Sequence, residues 1–237
     1  MVIQSSKSNR SVPPLKNGDR LSRAEFERRY AAAPHIKKAE LIEGIVYMPA
    51  ALRFRSHGQP HARLMVWLGN YQIATIGTAL ADNTTVRLDL DNEPQPDIAL
   101  FIEPEFGGQV RISSDDYLEG APELIAEVAA SSAAYDLGDK KKAYRRNGVR
   151  EYLVWQMFEN KLDWFLLQDD EYVPLLPDET GIIRSQTFPG LWLAIDSLLK
   201  GEMLQVMAVL QQGLNSQEHQ TQEHQTFVQQ LRDRLAD

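Results

Sequence analysis

Two carboxylates stand out from their neighbours. Asp97 opens the apolar run PDIALF (96–101), and Glu127 interrupts a second one, ELIAEVAA (123–130). Both runs read as short buried strands. A carboxylate inside such a strand is costly unless it is paired or bound to a metal. Glu127, among Leu124, Ile125, Ala126 and Val128, therefore has the strongest physical case for a function. If the two strands are neighbours, both carboxylates reach one edge of the sheet. That pair suits Mg²⁺ or Mn²⁺, ions that prefer oxygen ligands. Such an ion polarises a phosphoryl oxygen and lowers the pKa of a bound water, and phosphodiester hydrolysis needs both services. The ordinary reading of an acidic residue at a strand start, such as Asp97, is a turn or cap.

A lysine is the third part of that chemistry. The next predicted helix offers Lys140, Lys141 and Lys142, with Arg145 and Arg146 a turn later. Asp136, Lys140 and Tyr144 recur at four-residue spacing and share one face. Lys140 can thus turn back towards the strand ends, to stabilise phosphate charge or help deprotonate the attacking water. Against this, a KKK run is ordinarily a solvated face, Asp136 suits a helix N-terminus on dipole grounds, and Tyr144, Tyr152 and Trp155 read as core.

These residues need a scaffold. Ser22 and Glu25 stand at capping-box spacing ahead of a helix over 23–32, which Pro34 ends. ELIEGIVYMP (40–49) predicts two strand arms around a turn or bulge. Leu64, Trp67, Leu68 and Tyr71 mark a helix over 60–76. Strands follow at 84–88 and 97–102, and 103–121 reads as a loop. After the strand over 123–129 comes a helix over 135–147, ended by Gly148. EYLVWQM, KLDWFLLQ and EYVPLL (151–157, 161–168, 171–176) form a meander, and a last short helix spans 195–200.

The ends differ in composition. Residues 1–18 are polar and read as a disordered tail, leaving one domain over 19–200. Residues 201–237 read as a helical segment. Met203, Met207, Leu210, Leu214, Gln217, Thr221, His224, Val228, Leu231 and Leu235 follow a heptad seam, in which Gly213 costs about 1 kcal/mol. This segment packs its ends on the domain or forms a coiled-coil arm of a homodimer.

Bulk properties bound the function. The absence of Cys excludes disulfides, thiolate metal sites and cysteine nucleophiles. No stretch resembles a signal peptide or reaches 18 consecutive apolar residues, so no membrane role and a cytoplasmic location are expected. A formal charge of -8 argues against constitutive duplex binding through phosphate contacts. There is no P-loop, helix-turn-helix or zinc-finger signature.

Five motifs in order carry a resemblance: ELIEG (40–44), a histidine ahead of a helix (His57 or His61), PDIALF, ELIAEVAASS and YDLGDKKKAYRRNGVREYLVW (135–155). Over roughly residues 20–200 the chain resembles the Uma2 family, endonucleases of the PD-(D/E)XK class that are abundant in cyanobacteria. The resemblance implies an α/β fold, a restriction-endonuclease-like mixed sheet flanked by helices, followed here by the C-terminal helical tail. It makes Asp97 the aspartate of "PD", Glu127 the second metal carboxylate, and Glu40 a further acidic residue at the site. His61 matches the histidine opening the helix, with His57 as its rival. The lysine of (D/E)XK would stand at Ala129, and a D-x3-K-x3-Y pattern, Asp136, Lys140 and Tyr144, takes its place. The implied activity is Mg²⁺- or Mn²⁺-dependent hydrolysis of nucleic acid, DNA in the first instance, by Asp97, Glu127, Lys140 and Glu40. The competing reading is a catalytically silent nuclease fold serving as an oligomeric binding or regulatory module. Ala129, the acidic balance and the Gln-rich tail motivate it.

Overall fold

The computed structural model describes residues 12–49, 51–223 and 225–226. Helix α1 (Arg23–Ala31) starts after Ser22, whose side chain makes no capping hydrogen bond. Glu25 pairs instead with Arg28 and Arg29, at 2.7 and 2.6 Å, so ion pairs within the helix replace the expected capping box. Strands β1 (Glu40–Ile42) and β2 (Ile45–Tyr47) form a hairpin. Its Glu43-Gly44 turn has φ of 52° and 70°, the left-handed pair that a two-residue hairpin needs and glycine eases. Residues 12–18 depart from the disordered tail expected there. Leu15 is buried with Phe26, Leu41 and Val46, and the Gly18 N–H donates to the Val46 carbonyl at 2.8 Å. One apolar anchor outweighs the polar composition; residues 1–11 lie outside the described ones.

A wide π turn (Phe54–Gly58) leads into α2 (Gln59–Ile73). The stripe of Leu64, Trp67, Leu68 and Tyr71 is fully buried, each side chain contributing roughly 1.5–3 kcal/mol of transfer energy. There follow β3 (Thr78–Asp82), β4 (Val86–Arg87), β5 (Ile98–Ile102), β6 (Arg111–Ile112), β7 (Leu118–Glu119) and β8 (Leu124–Ala129). A short α3 (Ala133–Tyr135), a second π turn (Asp136–Lys140) and α4 (Lys141–Arg146) make the crossover to β9 (Glu151–Gln156). The chain continues through β10 (Lys161–Gln168), β11 (Glu171–Pro174), β12 (Ile182–Arg184), β13 (Trp192–Ala194), α5 (Ile195–Lys200) and α6 (Met203–Leu214).

The main sheet is mixed, in the order β11-β10-β9-β8-β5-β3. Only β8 and β9 run parallel, and the helical crossover joins them. The meander appears as expected. Edge strand β3 was not anticipated. Its TALAD sequence has weak β-propensity, and pairing with β5, Leu80 opposite Leu100, builds it. The region read as a loop contains β6 and β7, which pair with β4 in a small separate sheet.

Side chains along the central strands alternate between two cores. Leu124, Ala126, Val128, Leu153 and Trp155 pack with Trp67 under α2. Ile125, Ala129, Tyr152 and Val154 pack with Tyr144 under α4. Glu127 has the parity of Ile125 and Ala129, so it faces the crossover segment.

Helix α6 extends the domain past the boundary expected at 200. Val206 and Leu210 join the core under α2, with Met203, Met207 and Leu214 packed against it. Gly213 has a packing reason: a Cβ there would lie 2.1 Å from the Gly190 carbonyl oxygen. His219, outside the expected seam, is buried and holds the Thr75 hydroxyl at 3.0 Å. The described part of the tail thus packs on its own domain. His224, Val228, Leu231 and Leu235 of the seam lie outside the described residues.

Buried Glu93 is held to β1 by a backbone bridge to Leu41. Its carboxyl is pushed up from 4.5 to about 8, chiefly by burial and then by the nearby Glu27 carboxyl, with Arg87 and Arg23 opposing. A raised carboxyl favours the folded state while it is protonated. Its contribution is complete below its ordinary value and is lost as pH rises through about 8. Glu93→Gln should therefore leave the melting temperature little changed below about pH 4.5 and raise it increasingly above wild type as pH climbs from there to about 8. Thermal unfolding across that range checks this, and parallel curves would remove Glu93 as the source.

Candidate active site

The site is built where β5 begins and β8 ends. Antiparallel pairing sets Ile98 opposite Ala126, which makes Asp97 and Glu127 the next pair outward. Each carboxylate bonds the other's strand: the Val128 N–H donates to Asp97 Oδ2 at 2.9 Å, and the Asp97 N–H to Glu127 Oε2 at 3.3 Å. Both are buried, at 5% and 3% exposure. Asp97 Oδ1 takes no hydrogen bond among the described residues. Its nitrogen neighbours are Lys38 Nζ and His57 Nε2, each at 3.6 Å.

Lys140 reaches this pair from the crossover. Its Nζ lies 2.7 Å from Glu127 Oε1, 2.9 Å from Glu40 Oε1 and 3.9 Å from Asp136 Oδ1. Tyr144 donates to Glu127 Oε1 at 3.0 Å, and Glu40 also accepts the Gln95 N–H at 2.7 Å. The structure thus brings together Asp97, Glu127, Lys140, Glu40, Asp136 and Tyr144. Lys140, at the end of the crossover's π turn, thus stands beside Glu127, and Asp136 is a buried partner within that turn. Asp136 and Lys140 bound one π turn, while His57 sits in the other. Such turns are rare and recur at functional sites.

The electrostatics follow from this packing. Burial alone would pull the Lys140 ammonium down, but Glu127, Glu40 and Asp136 outweigh it and hold its pKa well above the ordinary lysine value. Lys140 is therefore a fixed cation, suited to holding charge rather than taking a proton. The Asp136 carboxyl is pushed up to about 7, first by burial and further by Glu127 and Glu40, with Lys140 opposing. The Tyr144 hydroxyl is pushed up by burial and by Glu127, so it stays a donor.

Of the two histidines, His57 lines the cavity, its Nδ1 3.3 Å from the Val128 carbonyl. His61 stacks on it at 5.7 Å but points to Asp82, at 3.1 Å, and to the Asp97 carbonyl, at 3.2 Å. The pocket position expected for His61 is thus taken by its rival. One turn of helix decides it, because the π turn swings His57 inward.

Sequence reasoning missed several cavity residues, Lys38 and Tyr135 among them. Lys38 stands two residues before Glu40, the first residue of the ELIEG motif, and that proximity was its only signal. Tyr135 precedes Asp136. Its hydroxyl is buried with no hydrogen-bond partner among the described residues, and its ring lines the cavity. Burial, then Glu40, push its pKa up, so it is an unused donor.

Other buried carboxylates behave differently. Glu123 accepts the backbone N–H groups of Ile102 and Gln109. Glu151 is satisfied by Ser185, Trp164 and the N–H groups of Gln186 and Thr187. Both are structural. Glu127 instead meets a lysine, a tyrosine and a cavity of about 490 Å³ that Asp97, Glu40 and Lys140 also line. Among the described residues no three His, Asp or Glu side chains converge as a ready metal cage. The hard oxygens of Asp97 and Glu127 fit a Mg²⁺-type cation that keeps several waters.

Comparisons with known proteins bear on the family and the fold. The sequence pattern of the Uma2 family, described as "Putative restriction endonuclease", matches residues 23–196. Among solved structures, "a putative nuclease belonging to DUF820 from Anabaena variabilis" is similar, with a TM-score of 0.57 and 14% identity. The alignment covers 73% of this chain and 96% of that one, a likeness of fold. No curated protein matches the chain significantly.

Proposed function

The chain belongs to the Uma2 family, and on that premise we propose that it is a metal-dependent nuclease that hydrolyses phosphodiester bonds of DNA. The observation that carries this is the meeting of Asp97, Glu127 and Lys140 at the floor of one cavity, with Lys140 Nζ 2.7 Å from Glu127. Asp97 and Glu127 would hold Mg²⁺ or Mn²⁺. A divalent ion there supplies a Lewis acid for the phosphoryl oxygen and a more acidic bound water.

The protein's own groups do the rest. Lys140 fixes the orientation of Glu127 and offers positive charge to the phosphate as it becomes more anionic. Glu40 anchors Lys140 from the other side. Lys38 stands beside Asp97, placed to meet an incoming phosphate. The Tyr135 hydroxyl is free to donate to a phosphate or leaving-group oxygen.

The alternative of a silent binding module drew on the missing lysine at 129. Lys140, 2.7 Å from Glu127, counts against that motive. Its remaining supports are the acidic balance and the tail. Metal removal tests the choice. Purified protein with Mn²⁺ or Mg²⁺ should cut DNA, lose the activity to a chelator and regain it with excess Mn²⁺. A folded protein that binds neither ion by calorimetry and cuts nothing would favour the module.

No helix is long and apolar enough to cross a membrane among the described residues.

A further inference from the structure

The cavity has a second character beyond its charged floor. One wall is apolar: Tyr47, Met48 and Leu52 on the segment leaving β2, and Phe158 in the turn between β9 and β10. Leu52 is 62% exposed and Phe158 72% exposed. Two large apolar side chains left in water on the rim of one cavity form a contact surface rather than scattered exposure. Arg53 stands beside Leu52 on the same rim, and Lys38 lies deeper.

We propose that this site takes its nucleic acid as an unstacked, single-stranded segment, with a base lying against Phe158 and Leu52 while its phosphate descends to the carboxylates. The inference rests on the nuclease reading of the same site and names its substrate class. Three observations carry it. First, Asp97, Glu127 and Glu40 are 3% to 5% exposed, so the reacting phosphate must leave the outer surface and enter the cavity. A rigid duplex holds its phosphates in register with their neighbours, which would meet the Leu52 and Phe158 rim. A single strand bends freely. Second, the apolar rim offers nothing to a sugar–phosphate backbone but matches the face of a base. Aromatic platforms bind single strands through such faces without needing sequence. Extruding a base costs least where the strand is already unpaired. Third, the cations are few and local. Lys38 and Arg53 serve one or two phosphates, while the chain as a whole carries -8. A duplex tracked over many phosphates needs a broad basic face.

The test uses one labelled oligonucleotide, alone and annealed to its complement. Binding is read by fluorescence anisotropy with Ca²⁺, which also takes oxygen ligands, and cleavage with Mn²⁺. The single strand is expected to bind, and to be cut, at least about tenfold better than the duplex. Phe158→Ala and Leu52→Ala should each remove most of that preference, through weaker binding. Leu204→Ala, an even more exposed apolar change outside the cavity lining, should leave it intact. Equal or better duplex binding, or an unchanged preference in Phe158→Ala, overturns the proposal. Single-strand binding without cleavage would remove the nuclease reading and keep this one. Equal cleavage of both forms would do the reverse.

Discussion

Lys140→Met is expected to lower the unfolding free energy by about 3–5 kcal/mol near neutral pH, the cost typical of breaking a buried ion pair. The reasoning is local. Lys140 is 3% exposed and stands between Glu127 at 2.7 Å and Glu40 at 2.9 Å, with Asp136 at 3.9 Å. Methionine fills much of the same volume, so the cavity term is small. The loss is the charge that makes three buried carboxylates tolerable. Two consequences separate this account from simple repacking. The deficit should shrink as pH falls, because the bereft carboxylates take up protons. It should also shrink with Mn²⁺, because the divalent ion replaces the missing positive charge and so binds the variant more tightly than wild type, each tenfold in Kd returning about 1.4 kcal/mol at saturation. Urea unfolding with and without chelator, across that pH range, reads both. A loss below about 1 kcal/mol, or one independent of pH and metal, would mean that Lys140 does not hold these carboxylates together.

How much of this was legible in the sequence differs residue by residue. Glu127 was visible because a charge inside ELIAEVAA breaks a pattern that only burial explains. Lys140 was visible through its four-residue spacing to Asp136 and Tyr144, although that spacing only says that the three share a face. Its contact with Glu40, on a distant hairpin, is a tertiary fact. The choice between His57 and His61 turned on a π turn, which leaves no compositional trace. Strand β3 was hidden by its alanines and exists through its pairing with β5. The tail was misjudged where one apolar residue, Leu15, decides the outcome, since composition averages over such anchors. Lys38 and Tyr135 carry no pattern of their own, and only the folded cavity gives them a place.

Glu127→Gln is expected to reduce metal-dependent cleavage by about 10³-fold or more, by analogy with the loss of a preorganised electrostatic group at an active site. The substitution keeps the shape and an oxygen that can accept from Tyr144, so the strand still packs. It removes one of two carboxylates available to a cation and frees Lys140 from its shortest ion pair. Activity should fall and Mn²⁺ affinity should fall with it. Asp97→Ala should behave alike, and the double variant should lose little more than either single one, because groups that act as a unit are not additive. Glu151→Gln is the discriminating control. That carboxylate is as buried as Glu127 but is satisfied by Ser185, Trp164, Gln186 and Thr187, remote from the cavity. Its replacement should lower stability while leaving Mn²⁺ affinity and cleavage per folded molecule unchanged. Calorimetric titration and single-turnover cleavage measure the two quantities separately. If Glu127→Gln loses cleavage but keeps full Mn²⁺ affinity, Glu127 acts on the substrate or its water and not on the ion. If it keeps both, burial alone explains its place in the strand, and the chemistry must lie elsewhere in the molecule.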